Sequence, residues 1–258
     1  MFDPLKFIGL IDFSIRSCFP VLQSRNLQPE LMDDPALPEA DHHAALSGLA
    51  RINVISGSGR ILWPAIEKIA RQHDRPMRVL DIACGGGDVT RSIAMKAQQS
   101  GLPVSLTGAD LSETALEFAR ERTTDAGIEN LDFRTLNALE EPLPDDYDII
   151  YTSLFLHHLS EDEARLFLNK QAKAAQCAVL VNDLRRSTWG FVMATVGCHL
   201  LSRSPIVHFD GPQSVKAAFR TEEILRLAQE SGLKDSRITT HWPQRYLLQW
   251  DKPQGGSE

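Results

Sequence analysis

The sequence has few of the residues that could brace it covalently or around a metal. Its four cysteines, Cys18, Cys84, Cys177 and Cys198, are scattered over 258 positions, with no CxxC pair and no histidine at ligand-like spacing. That argues against a disulfide framework and a zinc site. It suits a reducing compartment, with each thiol expected as a small buried apolar group. Basic runs are also missing. The net charge is −7, whereas a duplex nucleic-acid binder normally carries a basic face, so no nucleic-acid partner is expected. Beyond the N-terminus the longest near-apolar run is Phe191–Leu201, short of the about 20 residues a membrane span needs. Met1–Pro20 is interrupted by Asp3, Asp12 and Arg16 and is followed by no small-residue cleavage site, so it reads poorly as a signal peptide. It is expected as a sticky first helix or a partly disordered start. The expectation is a cytoplasmic protein with no membrane span. A homodimer enters only as the general prior for soluble oligomers.

Hydrophobic residues make up 43% of the chain, enough for one sizeable core. Residues 1–40 read as an N-terminal extension and linker, because Pro29, Pro35 and Pro38 alternate with acidic residues. Residues 41–75 read as a helical cap of two helices, broken near Gly57 and Gly59. Residues 76–258 read as the main domain, with a lid insertion at about 187–220.

Within that domain, short apolar runs alternate with helical stretches. Strands are expected at Val79–Ala83, Val104–Ala109, Leu131–Thr135, Tyr147–Thr152 and Ala178–Val181, with two more at Ser236–Thr240 and Tyr246–Trp250. Ser112 and Ser160 stand as helix N-caps, the latter with Glu163 at capping-box spacing. Thr221 is read the same way. This alternation implies an α/β fold with a mainly parallel, Rossmann-like sheet and helices on both faces.

The first strand runs into Cys84-Gly85-Gly86-Gly87, and Asp110 closes the second strand 23 residues after Gly87. Ligands in such sheets bind beyond the carboxyl ends of the strands. Glycines let a ligand approach the backbone, the following helix N-terminus receives anionic groups, and an acid after the second strand accepts from ribose hydroxyls. These features fit several nucleotide-containing cofactors. A dinucleotide fingerprint would need Gly or Ala where this chain has Thr90.

The string Val79-Leu80-Asp81-Ile82-Ala83-Cys84-Gly85-Gly86-Gly87, with the order of the later segments, resembles class I S-adenosylmethionine (SAM)-dependent methyltransferases. The resemblance covers roughly residues 77–185, and is greatest for the small-molecule branch that includes ubiquinone and menaquinone biosynthesis. It implies SAM as cofactor and a role for each matching residue. Gly85, Gly87, Asp81 and Ala83 would hold the methionine end, Asp110 the ribose diol and Leu111 the adenine face. Asn137 and Ala138 would meet the adenine edge, with Asn137 where many relatives have Asp. Ser153 would lie near the reacting methyl.

Candidates for acid–base work are His158 and His157, in the loop after the fourth strand, and His208, in a turn-like part of the insertion. His199 is read as a packed core residue. Arg185 and Arg186 are read as solvated or salt-bridged, with an acidic acceptor as the alternative. No metal is expected, because nothing acidic lies between Tyr151 and Ser160 and the Asn182-Asp183 order is the reverse of that in catechol-type relatives. Trp189, Phe191, Val192, Met193, Leu200, Leu201 and Phe209 are expected to roof an apolar pocket. The resulting reading is methylation, at oxygen first, of a phenolic, quinone or polyketide-like small molecule. Three alternatives stay open: a C-methyltransferase of a quinone-type substrate, an NAD-dependent oxidoreductase and a non-catalytic SAM-binding protein.

Overall fold

The computed structural model describes residues 22–34 and 36–253. Readings that fall on Met1–Pro20 and Cys18 lie outside the described residues. Seven strands form one sheet: β1 (Met77–Ile82), β2 (Val104–Asp110), β3 (Leu131–Thr135), β4 (Ile149–Ser153), β5 (Ala178–Leu184), β6 (Arg237–His241) and β7 (Arg245–Asp251). Their order is β3-β2-β1-β4-β5-β7-β6. The first five pair in parallel, whereas β7 runs antiparallel against β5 and β6. The expected Rossmann-like α/β sheet is therefore present. Strand order reverses beside β1, where β2 and β4 leave in opposite directions, and a crevice opens at such a switch point.

The core explains the apolar runs. β1, β4 and β5 are almost wholly buried because helices cover both sheet faces. One face packs Leu80, Ile150, Val179 and Leu248 against α5 (Glu161–Ala174) and α8 (Thr221–Glu230). The other packs Val79, Ile149, Leu180 and Leu247 against α2 (Ser58–Ala70) and α3 (Asp88–Gln99). Helix α4 (Glu113–Asp125) is capped by Ser112, whose side chain accepts from the Ala115 N–H. Ser160 and Glu163 form the expected capping box on α5. At α8 the cap lies one residue earlier than expected. Arg220 is the N-cap, its N–H bonded by the Glu223 carboxylate, and Thr221 is the first helical residue.

Two regions differ from their sequence reading. The cap begins at α1 (Glu39–Ser56) and passes into α2 through Gly57 at φ 73°. Before it, the proline-rich segment does not hang as a linker. Leu22 is buried, Arg25 donates to the carbonyls of His157, Leu159 and Ala217, and the Leu31 and Met32 amides donate to the Asp210 carboxylate. The insertion is a helical hairpin, α6 (Thr188–Leu201) and α7 (Pro205–Ala217). Asp210-Gly211-Pro212, read as a turn, lies inside α7: Pro205 starts that helix at a position tolerant of proline, and Asp210 spends its carboxylate on the N-terminal segment. No helix of the described residues is long and apolar enough to cross a membrane.

Burial separates two substitutions of the same type. Leu80→Ala, at a fully buried β1 position, is expected to cost about 2–5 kcal/mol of stability. Leu200→Ala, on the exposed side of α6, should change it by less than about 0.5 kcal/mol. Urea unfolding of both variants checks this, and similar losses would contradict the packing described.

Candidate active site

At the end of β1 the chain turns through three residues of positive φ: Ala83 (58°), Gly85 (52°) and Gly87 (66°). The two glycines serve different ends. A Cβ on Gly85 would meet nothing within 4 Å, so that backbone faces open space. A Cβ on Gly87 would come within 3.0 Å of Phe133 and Ala119. Gly87 therefore lets β3 and α4 close over the turn, and it is not among the residues that line the cavity. Gly86 lines the cavity in its place. The turn is tied to β2 by a 2.7 Å hydrogen bond from the Gly85 N–H to the Asp110 carboxylate. The other oxygen of Asp110 accepts from the Ser112 N–H at 2.9 Å.

A cavity of about 1010 Å³ opens there, at the top of the roughly 300–1,000 Å³ usual for one ligand. Asp81, Ala83, Gly85, Asp110, Leu111, Asn137, Ala138 and Ser153 all line it, as do His157 and His158. Asp81 is 1% exposed, and its Oδ2 accepts from Thr90 and Tyr151. Its Oδ1 has no hydrogen-bond partner. Burial pushes its pKa up to about 7, against those two hydrogen bonds. A buried carboxylate oxygen without a donor, on a residue that lines a cavity, is short of a cation or N–H partner. Together with the open backbone at Gly85 and the acid closing β2, it fits a cofactor carrying a ribose and an amino-acid head.

The other walls come from α1 (His42, Leu46, Leu49, Ile52) and α6. The contribution of α6 differs from expectation. Gly190, Met193, Ala194, Gly197, Cys198 and Leu201 line the cavity, whereas Trp189, Val192, Leu200 and Phe209 are exposed. Helical periodicity forces this choice, because a face at i, i+3, i+4, i+7 can point only one way. The small-residue face turns inward, leaving room, and the bulky stripe turns out. Of the expected roof residues, Met193 and Leu201 line the cavity. His199 is exposed rather than packed in the core, since Cys198 takes the inward position beside it. Its ring stacks on His208 at 4.1 Å. His208 is not among the lining residues, because α7 is regular there and sends it toward the Ser202 carbonyl.

His157 and His158 part company. His157 is buried, with Nδ1 2.7 Å from Asp183 Oδ1 and Nε2 3.7 Å from Glu30 Oε1. Burial alone would lower its pKa, but the two carboxylates overcome that and raise it to about 10. Glu30 is correspondingly held well below the usual carboxylate range, against the effect of its own burial. His157 is thus an imidazolium with both nitrogens committed. His158 is more open, its side chain 24% exposed and its Nε2 3.9 Å from Glu30 Oε2. Among the described residues, Glu30, His157 and His158 bring ligand-type atoms within 4.8 Å of one another, but His157 could ligate a metal ion only after losing its proton. The expectation of no metal considered only acids near β4 and β5. Glu30 arrives from the segment read as linker.

Glu30, Asp183 and Arg245 were not named as site residues from the sequence. Arg186 is buried and paired with Glu223, and also donates to the Leu22 and Ala218 carbonyls. Arg185 donates to Gln244. The only sequence signal for Asp183 was its place at the carboxyl end of a strand.

A family described as a methyltransferase domain matches residues 79–177. The ubiquinone biosynthesis O-methyltransferase of Thiobacillus denitrificans is 26% identical over 165 residues, 63% of this chain and 66% of that protein. The ubiquinone/menaquinone biosynthesis C-methyltransferase UbiE of Rickettsia akari is 36% identical over 95 residues, 36% of this chain and 38% of that protein. The CurJ carbon methyltransferase structure shares the fold, with a TM-score of 0.64 at 14% identity, over 97% of this chain and 71% of that one. The structure titled "PigF with SAH" superposes with a TM-score of 0.52 at 18% identity, over 71% of this chain and 53% of that one.

The His157 cation links stability to pH. Its pKa rises from about 6.5 unfolded to about 10 folded. Its contribution is therefore complete below about pH 6.5 and is lost as pH climbs through about 10. Wild-type urea midpoints should fall between pH 6.5 and 10, and His157→Gln should flatten that slope. Equal slopes in the two proteins would count against the ion-pair assignment.

Proposed function

We propose, from the premise that this chain carries a class I SAM-dependent methyltransferase domain, that the whole protein methylates a small, largely apolar acceptor at a phenolic or quinol-type oxygen. The observation that carries this reading is one cavity joining the Gly85–Asp110 shelf, the apolar faces of α1 and α6, and His158. The relative named as an O-methyltransferase matches over 165 residues and the one named as a C-methyltransferase over 95. The first match is longer and the second more identical, so oxygen is the first acceptor to test on the ground of the histidine beside the apolar walls. When bound, SAM supplies a methyl group on a sulfonium centre.

The protein's own residues supply placement and proton handling. Asp110, whose carboxylate holds the Gly85 and Ser112 amides, would accept the ribose hydroxyls. Leu111, Asn137 and Ala138 line the cavity where they would border the adenine, and Ser153, whose Oγ accepts from Asn182 at 2.9 Å, would border the reacting end. Asp81 and the backbone around Ala83 and Gly85 face the methionine end. Leu46, Leu49, Ile52, Met193 and Leu201 hold a flat apolar acceptor and exclude water. Orientation in such a site can be worth up to roughly 7–11 kcal/mol. A hydroxyl acceptor must also lose its proton. His157 is an imidazolium and has no lone pair for it, so His158 takes that role, within a loop that the Asp183 bond to the His157 N–H keeps in place.

Incubating the protein with methyl-labelled SAM and a panel of phenols, quinols and polyketide-like compounds tests the activity. Labelled O-methyl products are expected. A carbon-linked label would move the acceptor to carbon, and no transfer to any compound would favour a SAM-binding protein without catalysis. His158→Ala should lower turnover by about 10²–10⁴-fold while SAM affinity stays within about threefold of wild type, and unchanged turnover would remove His158 from the proton role. Asp110→Asn should weaken SAM binding by about 1–3 kcal/mol in calorimetry, and unaltered affinity would remove the diol contact.

A further inference from the structure

Arg245 is the first residue of β7, brought to the carboxyl edge of the sheet by pairing opposite Leu184 of β5. It is 2% exposed and lines the cavity. Among the described residues no carboxylate lies within ion-pair distance of it. Its terminal nitrogens donate to neutral oxygens at the α1–α2 junction: Ser58 Oγ at 3.0 Å, Asn53 Oδ1 at 3.3 Å and Ser56 Oγ at 2.6 Å. Its Nε has no acceptor. Buried cations are normally paired, because taking a lone charge out of water costs several kcal/mol. Here burial pulls the guanidinium pKa down to about 10, against the opposing charges of Asp183 and Asp88, neither of which is within ion-pair distance.

The location says what would neutralise it. Asn53 accepts from Arg245, and Asp88, one of the two carboxylates whose charge acts on Arg245, directly follows the glycine turn. Across that turn lies Asp81, whose Oδ1 also lacks a partner. Arg245 and Asp81 therefore line one cavity beside the turn, the cation with one nitrogen short of an acceptor and the carboxylate with one oxygen short of a donor. That is the complement of an α-amino-acid zwitterion, carboxylate toward one and ammonium toward the other. We propose that Arg245 binds the α-carboxylate at the methionine end of the cofactor, opposite the Asp81 side of the turn. The inference rests on the reading that the cavity holds SAM and adds a residue from the far end of the chain to the cofactor site.

Calorimetry on the full chain tests it with two probes, S-adenosylhomocysteine and its decarboxylated analogue S-adenosyl-3-thiopropylamine. In wild type, losing the carboxylate should weaken binding about 10–150-fold, the range of a hydrogen bond to a charged group. In Arg245→Gln, S-adenosylhomocysteine should weaken by a similar factor while the decarboxylated probe stays within about threefold of its wild-type affinity. Equal wild-type affinity for the two probes overturns the assignment and needs no variant. So does an Arg245→Gln chain that weakens both probes alike. If wild type binds neither probe, the SAM reading fails and takes this inference with it. Tight, carboxylate-indifferent binding removes only the role of Arg245.

Discussion

The Gly85 N–H donates to the Asp110 carboxylate across the ends of two adjacent parallel strands, and the cavity is built outward from that bond. It fixes the turn after β1 against the end of β2, with Ala83 and Gly85 at positive φ. This leaves backbone facing the crevice at the point where strand order reverses. Gly87 plays a packing part: Phe133 and Ala119 occupy the space a side chain would need, so α3 can start close to the sheet.

Around that fixed point the site is electrically divided. Near β1, Asp81, Asp88 and Arg245 keep charge buried beside the turn, and Asp81 and Arg245 each retain an unpartnered atom. Near β4 and β5, the charges are closed on themselves, with His157 held between Asp183 and Glu30. Under the proposal above, the first group receives the zwitterionic end of the cofactor. The second is arranged to hold a loop still, since Asp183 also accepts the N–H groups of His157 and Leu184. His158 stands beside this rigid pair, and the walls opposite are apolar. Charge recognition at one end and shape recognition at the other suit a polar cofactor and a largely apolar acceptor sharing one space.

The N-terminal segment belongs to this arrangement through polar contacts. Arg25 reaches three carbonyls, Glu30 accepts from Ser214 and faces both histidines, and Leu22 supplies its carbonyl to Arg186 and Arg220. None of these contacts has a periodic sequence signature. The same holds for α7, where Asp210-Gly211-Pro212 has turn composition but stays helical because neighbouring elements use its polar groups.

What the sequence by itself determined is what depends on near neighbours in the chain. Period-two and continuous apolar runs set the strands, Ser112 and Ser160 set helix starts, and the glycine turn with Asp110 marked the cofactor side of the sheet. All of these act within a few residues or through one βαβ unit, so local chemistry suffices. Tertiary structure alone decided which face of α6 turns inward, that Glu30 and Asp183 enclose His157, that His208 leaves the site, and that Arg245 enters it from β7. Those outcomes depend on pairings across 26 residues for His157 and Asp183 and 189 for Ser56 and Arg245. Over such separations only the packed sheet, and the need of each buried charge for a partner, brings the groups together.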